Sequence, residues 1–202
     1  FCVTNNAKDL TELRKKYNAD TGYILHISSQ DPRDNTPAVI RAYHKTMREP
    51  RISQKLVIYG DINPKDSGLD KLVAELELEN NVTFIRRFKD KETERLVELY
   101  RAADVYIDPS LYEGFGFQVV EAMACGVPVI TSNVTSLPEI MGDAGILVSP
   151  TDIDSLASAI IMVLTDSRLR QTLCQKSLER TKFFSWDKTA RETLAIYDEL
   201  LA

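Results

Sequence analysis

Six short apolar runs rich in β-branched residues recur along the chain: YILHIS at 23–28, KLVIYG at 55–60, VTFIRR at 82–87, DVYIDPS at 104–110, VPVITS at 127–132 and AGILVS at 144–149. Each has strand length, and the near absence of apolar/polar alternation marks strands covered on both faces. Between them the apolar positions take a helical period, over about 36–48, 68–79, 90–102, 117–125 and 151–165. Repeated strand and helix predicts an α/β fold: a doubly wound, Rossmann-like parallel sheet of about six strands with helices on both faces.

After residue 166 the strands stop, and two helical stretches follow, SRLRQTLCQKSLERT and Trp186 to Leu201. They predict a C-terminal helical extension. The second spreads Trp186, Ala190, Leu194, Ile196, Tyr197 and Leu200 over more than one face. Two readings follow from that spread: the helix packs on this domain's core, or it reaches beyond the domain.

Composition narrows the function classes. With 202 residues, 44% of them hydrophobic, the chain can bury a core, which argues against intrinsic disorder. A net charge of -5 provides no general basic field for nucleic acid or an anionic membrane surface. The cysteines, at 2, 125 and 174, are odd in number and lack CxxC spacing, which argues against a disulfide framework or zinc site and for a reducing compartment, the cytoplasm. ILVSP and AIIMVL, among the longest apolar runs, fall far short of the roughly 20 residues of a membrane span. No targeting segment is recognisable. A start at Phe1 rather than methionine reads as a fragment or processed piece.

In an open α/β sheet, ligands bind outside the carboxyl ends of the strands. That places EGFGFQVVE, residues 113–121, at the functional edge, between a strand and a helix that Gly126 and Pro128 stop. Gly114 and Gly116 permit positive φ and close approach of a ligand, and the N–H groups of Phe117, Gln118 and Val119 at the helix start form an anion site. No lysine or arginine occurs from Ala102 through Ser167. A phosphate here would lean on backbone N–H groups and the helix dipole, with basic help from Arg33, Arg86, Arg87 or Lys89. Glu113 reads either as a solvated loop acid or as a functional group. Glu121 lies among Val119, Val120, Ala122 and Met123, where a buried carboxylate needs a partner, and a hydroxyl-rich ligand would supply one. His26 and His44 lack metal-ligand neighbours at suitable spacing and read as structural, so no metal site is expected. The first strand-turn, HISSQDPRDN, carries no GxGxxG, which argues against a dinucleotide enzyme.

The run LYRAADVYIDPSLYEGFGFQVVEAMACGVPVITSNVTSLPEIMGDAGILV, from Leu99 to Val148, closely resembles the donor-binding, C-terminal domain of the retaining GT-B fold glycosyltransferases of the glycosyl transferases group 1 family. The hallmark of that family is two glutamates separated by seven residues, matched by Glu113 and Glu121. The resemblance extends more loosely from Tyr23 to the FSW at Trp186. It implies a nucleotide-sugar domain over 1–181 and a helix over 182–202 that crosses to an acceptor domain absent from this chain. It implies Glu113 as the catalytic residue facing the donor sugar, Glu121 on the ribose hydroxyls, and Gly114, Phe115, Gly116, Phe117 and Gln118 around the diphosphate. Ser29, Arg33 and Arg87 complete the implied substrate-binding set. The donor would be a UDP- or GDP-sugar with no further cofactor and no metal. The acceptor would be a glycan or lipid-linked molecule in polysaccharide biosynthesis, with no nucleic acid involved and with peripheral membrane association through the missing N-terminal domain.

One departure stands out. Family members carry an arginine soon after the first strand and a lysine about five residues later, both directed at the diphosphate; here Ser29 and Asp34 occupy those places. Arg33, one position away, is a substitute, whereas an acid at 34 has the wrong sign for a phosphate. Two outcomes stay open: a transferase whose phosphate contacts come from elsewhere, or a module that binds donors weakly or not at all and serves in binding or scaffolding.

Overall fold

The computed structural model describes residues 7–89 and 92–201. Phe1, Cys2, the first two residues of the helix expected over 90–102, and the last residue of the segment 182–202 lie outside the described residues.

Six strands, β1 (Tyr23–Ile27), β2 (Lys55–Gly60), β3 (Val82–Arg86), β4 (Val105–Asp108), β5 (Val129–Ser132) and β6 (Ile146–Val148), form one sheet in the order β3-β2-β1-β4-β5-β6. Every pairing is parallel. The strands match all six expected runs, trimmed at their ends. Successive residues alternate between two cores, as the period of two requires. Ile24, Leu56, Ile58, Val105, Ile107 and Ile130 enter one. Tyr23, Leu25, Val57, Tyr59, Tyr106 and Val129 enter the other. The first core is covered by α2 (Thr36–Thr46), α4 (Leu69–Glu75) and α8 (Ile153–Thr165). The second is covered by α1 (Ala7–Lys16), α5 (Glu92–Ala102), α6 (Phe117–Ala124) and α7 (Leu137–Met141). This is the doubly wound, Rossmann-like arrangement that the pattern predicted.

The differences have local causes. The helix expected over 68–79 is preceded by the short α3 (Pro64–Ser67) and α4 ends at Glu75. Glu77 takes the left-handed conformation (φ 57), with Leu78 N–H donating to Val73 O at 2.9 Å and Glu77 N–H to Ala74 O at 3.1 Å. That is a Schellman stop made without glycine. The sequence reading omits α1, which among its described side chains presents Leu10 and Leu13 to the core. Arg14 on α1 compensates: it donates to Ala102 O at 3.0 Å and pairs with Asp104 at 2.6 Å.

α9 (Ser167–Thr181) caps the domain through buried Leu173 and Ser177. α10 (Trp186–Leu201) buries no residue, and Trp186, Leu194, Ile196, Tyr197 and Leu200 are all exposed. The core-packing reading of this last helix is therefore corrected: its apolar residues gather on one side but that side is left in solvent rather than seated on the domain.

Candidate functional site

The chain winds outward from β1 in two directions, through β2 to β3 and through β4 to β6. At this switch point the loops leaving β1 and β4 run to helices on opposite faces, so a crevice opens above the two strands' carboxyl ends. A cleft of about 290 Å³ occupies it, lined on one side by Ser28, Ser29, Asp34 and Asp61 and on the other by Phe117, Gln118 and Glu121, with Arg87 also at its wall. The structure thus brings five sequence-predicted site residues to one cavity: Ser29, Arg87, Phe117, Gln118 and Glu121. Asp61, Ser28, Tyr59 and Gly60 were missed, although the rule that selected the loops after β1 and β4 applies equally to the end of β2.

The β4–α6 loop is braced from the β5–α7 loop. Thr135 accepts the Glu113 N–H at 3.1 Å, and the Ser136 hydroxyl lies 3.0 Å from Glu113 O and 2.9 Å from Phe115 O. Gly116 ends the loop at φ 104, where a Cβ would stand 2.7 Å from Leu137 Cδ2. Gly114 differs from expectation: it does not take positive φ, and a Cβ there meets open space, because the turn is made at Gly116 alone. Gly116, at the N-cap of α6, has no side chain, and among the described residues no side-chain cap closes this helix start. Its first N–H groups and the positive end of its dipole therefore provide anion affinity beside the cleft.

The carboxylates are not equivalent. Glu113 is half-buried, and burial followed by the neighbouring Asp108 charge raises its pKa. Asp108, buried at the end of β4, is raised by burial, although the Ser110 hydroxyl at 2.5 Å and the Ser110 N–H at 3.3 Å oppose the shift. Glu121 is only partly buried and already has a protein partner, the Tyr100 hydroxyl, which donates to Oε2 at 3.1 Å. The expected isolated, buried carboxylate is corrected on both counts, since its turn of α6 faces the cleft rather than the core.

Arg33 does not line the cleft. Its guanidinium grips Asp31 through Nε at 3.1 and 3.0 Å and Nη2 at 2.6 Å, and that contact lowers the Asp31 pKa to about 2. Arg86 and Lys89 are exposed and also outside the cavity lining. His26 is buried and structural. Its Nδ1 lies 3.0 Å from Ile107 O, which can only accept, and burial lowers its pKa, so the ring is neutral and Nε2 accepts from the Thr36 hydroxyl at 3.1 Å. Among the described residues no group of three or more His, Cys, Asp and Glu side chains is placed to hold a metal.

A second, apolar groove of about 770 Å³ adjoins the cleft and shares Phe117 and Glu121 with it. Phe115 and Phe117 pack at 4.8 Å, Phe115 meets Phe184 at 5.9 Å, and Phe117 stacks on Trp186 at 6.1 Å. Among the described residues no helix is long and apolar enough to cross a membrane.

Comparison with known proteins accords with this geometry. The O-antigen chain mannosyltransferase B of Escherichia coli is 37% identical over 191 residues, which is 95% of this chain and 49% of that protein. The sucrose-phosphate synthase of Thermosynechococcus elongatus superposes with a TM-score of 0.80 at 30% identity, over 99% of this chain and 51% of that one. The C-terminal domain of a glycosyl transferase group 1 family protein from Francisella tularensis matches with a TM-score of 0.76 at 26% identity, over 91% of this chain and 94% of that domain. The chain thus spans about half the length of the first two, and nearly all of an isolated C-terminal domain. The model of the family "Glycosyl transferases group 1" matches residues 9–180, and the chain belongs to that family.

Proposed function

We propose that this chain is the donor half of a retaining glycosyltransferase, taking a sugar from a nucleoside diphosphate to a glycan or lipid-linked acceptor. The observation that carries the reading is the uncapped start of α6 at the switch-point cleft, with Glu113 on the loop before it and Glu121 one turn into it. A departing diphosphate gains negative charge as the glycosidic bond breaks, and the N–H groups of Gly116 to Gln118 with the helix dipole stabilise that charge. Gly114 and Phe115 shape the loop around it, Glu113 faces the sugar, and Glu121 accepts from the ribose hydroxyls. Attack on the face that the diphosphate leaves retains the anomeric configuration. The mannosyltransferase relative makes a mannose donor the first sugar to test, as a UDP- or a GDP-sugar.

In the same proposal residues 1–181 form the donor domain, and 182–202 cross to an acceptor domain. The exposed apolar side chains of α10 support that crossing. The chain alone would then bind donor and transfer little. The activity belongs in the cytoplasm, with membrane association through the rest of the protein, and free Cys125 and Cys174 are consistent with a reducing compartment.

One observation favours a second reading, a nucleotide-sugar-binding or scaffolding module without transfer: Asp34 stands in the cleft wall where a cation would serve a diphosphate. Calorimetric titration with UDP, GDP and their sugars, followed by transfer assays on the whole protein, separates the two. Binding with transfer supports the first reading, binding without transfer supports the nucleotide-sugar-binding module, and no binding of any nucleotide rejects the first reading and leaves only scaffolding.

A further inference from the structure

The loop after β1 builds a cradle of hydrogen-bond donors, and a carboxylate of the same loop already fills it. Ser29 donates to Asp34 Oδ2 through its N–H at 2.5 Å and its hydroxyl at 2.8 Å, and the Ser28 hydroxyl approaches the same oxygen at 3.4 Å. A backbone N–H and a hydroxyl converging on one oxygen is how a phosphate oxygen is held, and a carboxylate held this way is bound by charge-assisted bonds.

Neighbouring contacts fix both partners. Behind the cradle, His26 spans Ile107 O and Thr36, and the Thr36 hydroxyl lies 2.5 Å from that of Ser28. Because neutral His26 takes the Thr36 proton, Thr36 accepts from Ser28. The Ser28 proton is then spent on Thr36, so this hydroxyl adds no donor to the two that Ser29 supplies. Asp34 is held by the 3-10 turn Pro32–Asp34, with its N–H on Asp31 O at 3.1 Å. The next residue, Asn35, adopts φ 57 and ties the turn to Pro109 O at 3.0 Å and Pro150 O at 2.8 Å. Asp61 adds another carboxylate to the same wall. The adjacent base, Arg33, is committed to Asp31.

We propose that Asp34 determines specificity in the donor cleft: it is an internal anion that occupies the cradle at β1, so a diphosphate is held by the start of α6 and by Arg87 at the wall but not by that cradle, and adds little to the affinity of the nucleoside. The proposal rests on the donor-cleft reading above. It makes Asp34 a brake on diphosphate binding, because the donor must either displace a charge-assisted contact or bind beside a like charge.

The test is calorimetric titration of the 202-residue chain, as parent, Asp34→Asn and Asp34→Ser, with UDP, GDP, uridine and guanosine, each protein first shown folded by near-ultraviolet circular dichroism. The asparagine keeps the shape and removes the charge; the serine also removes the reach to Ser29. The expected result is a rise of roughly ten-fold or more, equivalent to about 1.4 kcal/mol, in the diphosphate-to-nucleoside affinity ratio of at least one variant, with nucleoside affinity within about two-fold of the parent. A ratio within about two-fold of the parent's in both variants, while the nucleosides still bind, overturns the role of Asp34 and leaves the donor cleft standing. Absence of binding by every ligand to all three proteins removes both.

Discussion

Gly116 and Leu137 approach so closely that a Cβ on the glycine would stand 2.7 Å from Leu137 Cδ2, with the backbone at φ 104. Two independent constraints therefore exclude a side chain at this position. Gly116→Ala should destabilise the fold by about 1–2 kcal/mol through the left-handed backbone alone, with the contact to Leu137 adding to it. Gly114→Ala, with open space and no positive φ, should remain within about 0.5 kcal/mol of the parent. Urea unfolding midpoints distinguish the two, and equal midpoints would remove the argument that Gly116 sets the start of α6.

Glu121 tests the nucleoside side of the cleft. If its carboxylate accepts from ribose hydroxyls, Glu121→Ala should weaken uridine or guanosine and the matching diphosphate equally, by about 1–3 kcal/mol. Tyr100→Phe removes the hydroxyl that donates to Glu121 Oε2 at 3.1 Å and should give a smaller loss of the same kind, since it loosens the carboxylate without removing it. A loss confined to the diphosphate would place Glu121 elsewhere in the site.

Arg33 makes the opposite case. Its side chain is exposed and paired with Asp31 at 2.6 Å, and exposed pairs of this type contribute little. Arg33→Ala should leave UDP and GDP affinities within about two-fold of the parent. A selective loss for the diphosphates would show that the guanidinium leaves Asp31 for the ligand.

How far the sequence anticipates this molecule depends on the range of the interaction concerned. The inner strands β2, β1, β4 and β5 were legible because burial on both faces makes them largely apolar, whereas the edge strands β3 and β6 are only partly buried and were found from their β-branched and aromatic content. The stop of α6 was legible because Gly126 supplies the positive φ directly. The stop at Glu77 was not, because the bond from Leu78 N–H to Val73 O overrides a residue type that does not advertise the left-handed region. Within the site, the turn and helix at 113–121 follow from local spacing. The contact between Tyr100 and Glu121 joins two helices, and that of Asp34 with Ser29 depends on how the loop after β1 folds back on itself. An acid at 34 could be recognised as the wrong charge for a phosphate, but the position of its carboxylate could not be read from the chain.

Asp108 allows the electrostatics beneath the site to be measured through stability. It is 4% exposed at the end of β4, and burial raises its pKa above the ordinary carboxylate value despite the bonds from Ser110. A folded-state pKa above the unfolded one means that the native protein holds this proton more tightly. The stability so gained is present below about pH 3.8 and is lost as pH rises through the folded-state value, where the ionised group becomes a burden on the fold. Asp108→Asn keeps an oxygen for the Ser110 hydroxyl and removes the charge. Its thermal midpoint should therefore exceed the parent's by a margin that is small near pH 4 and grows towards about pH 8. His26 acts in the opposite sense: its lowered pKa makes the parent lose stability as pH falls from 6.5 towards the folded-state value. That contribution is common to both proteins and cancels in the difference. The substitution should also let the Glu113 pKa fall, since the Asp108 charge is the second cause of its rise after burial, and a carboxyl titration followed by NMR reads this directly. A midpoint difference independent of pH would mean that Asp108 titrates alike in the native and unfolded chains, and an unmoved Glu113 titration would mean that Glu113 does not feel the Asp108 charge and owes its raised pKa to burial and to Asp34.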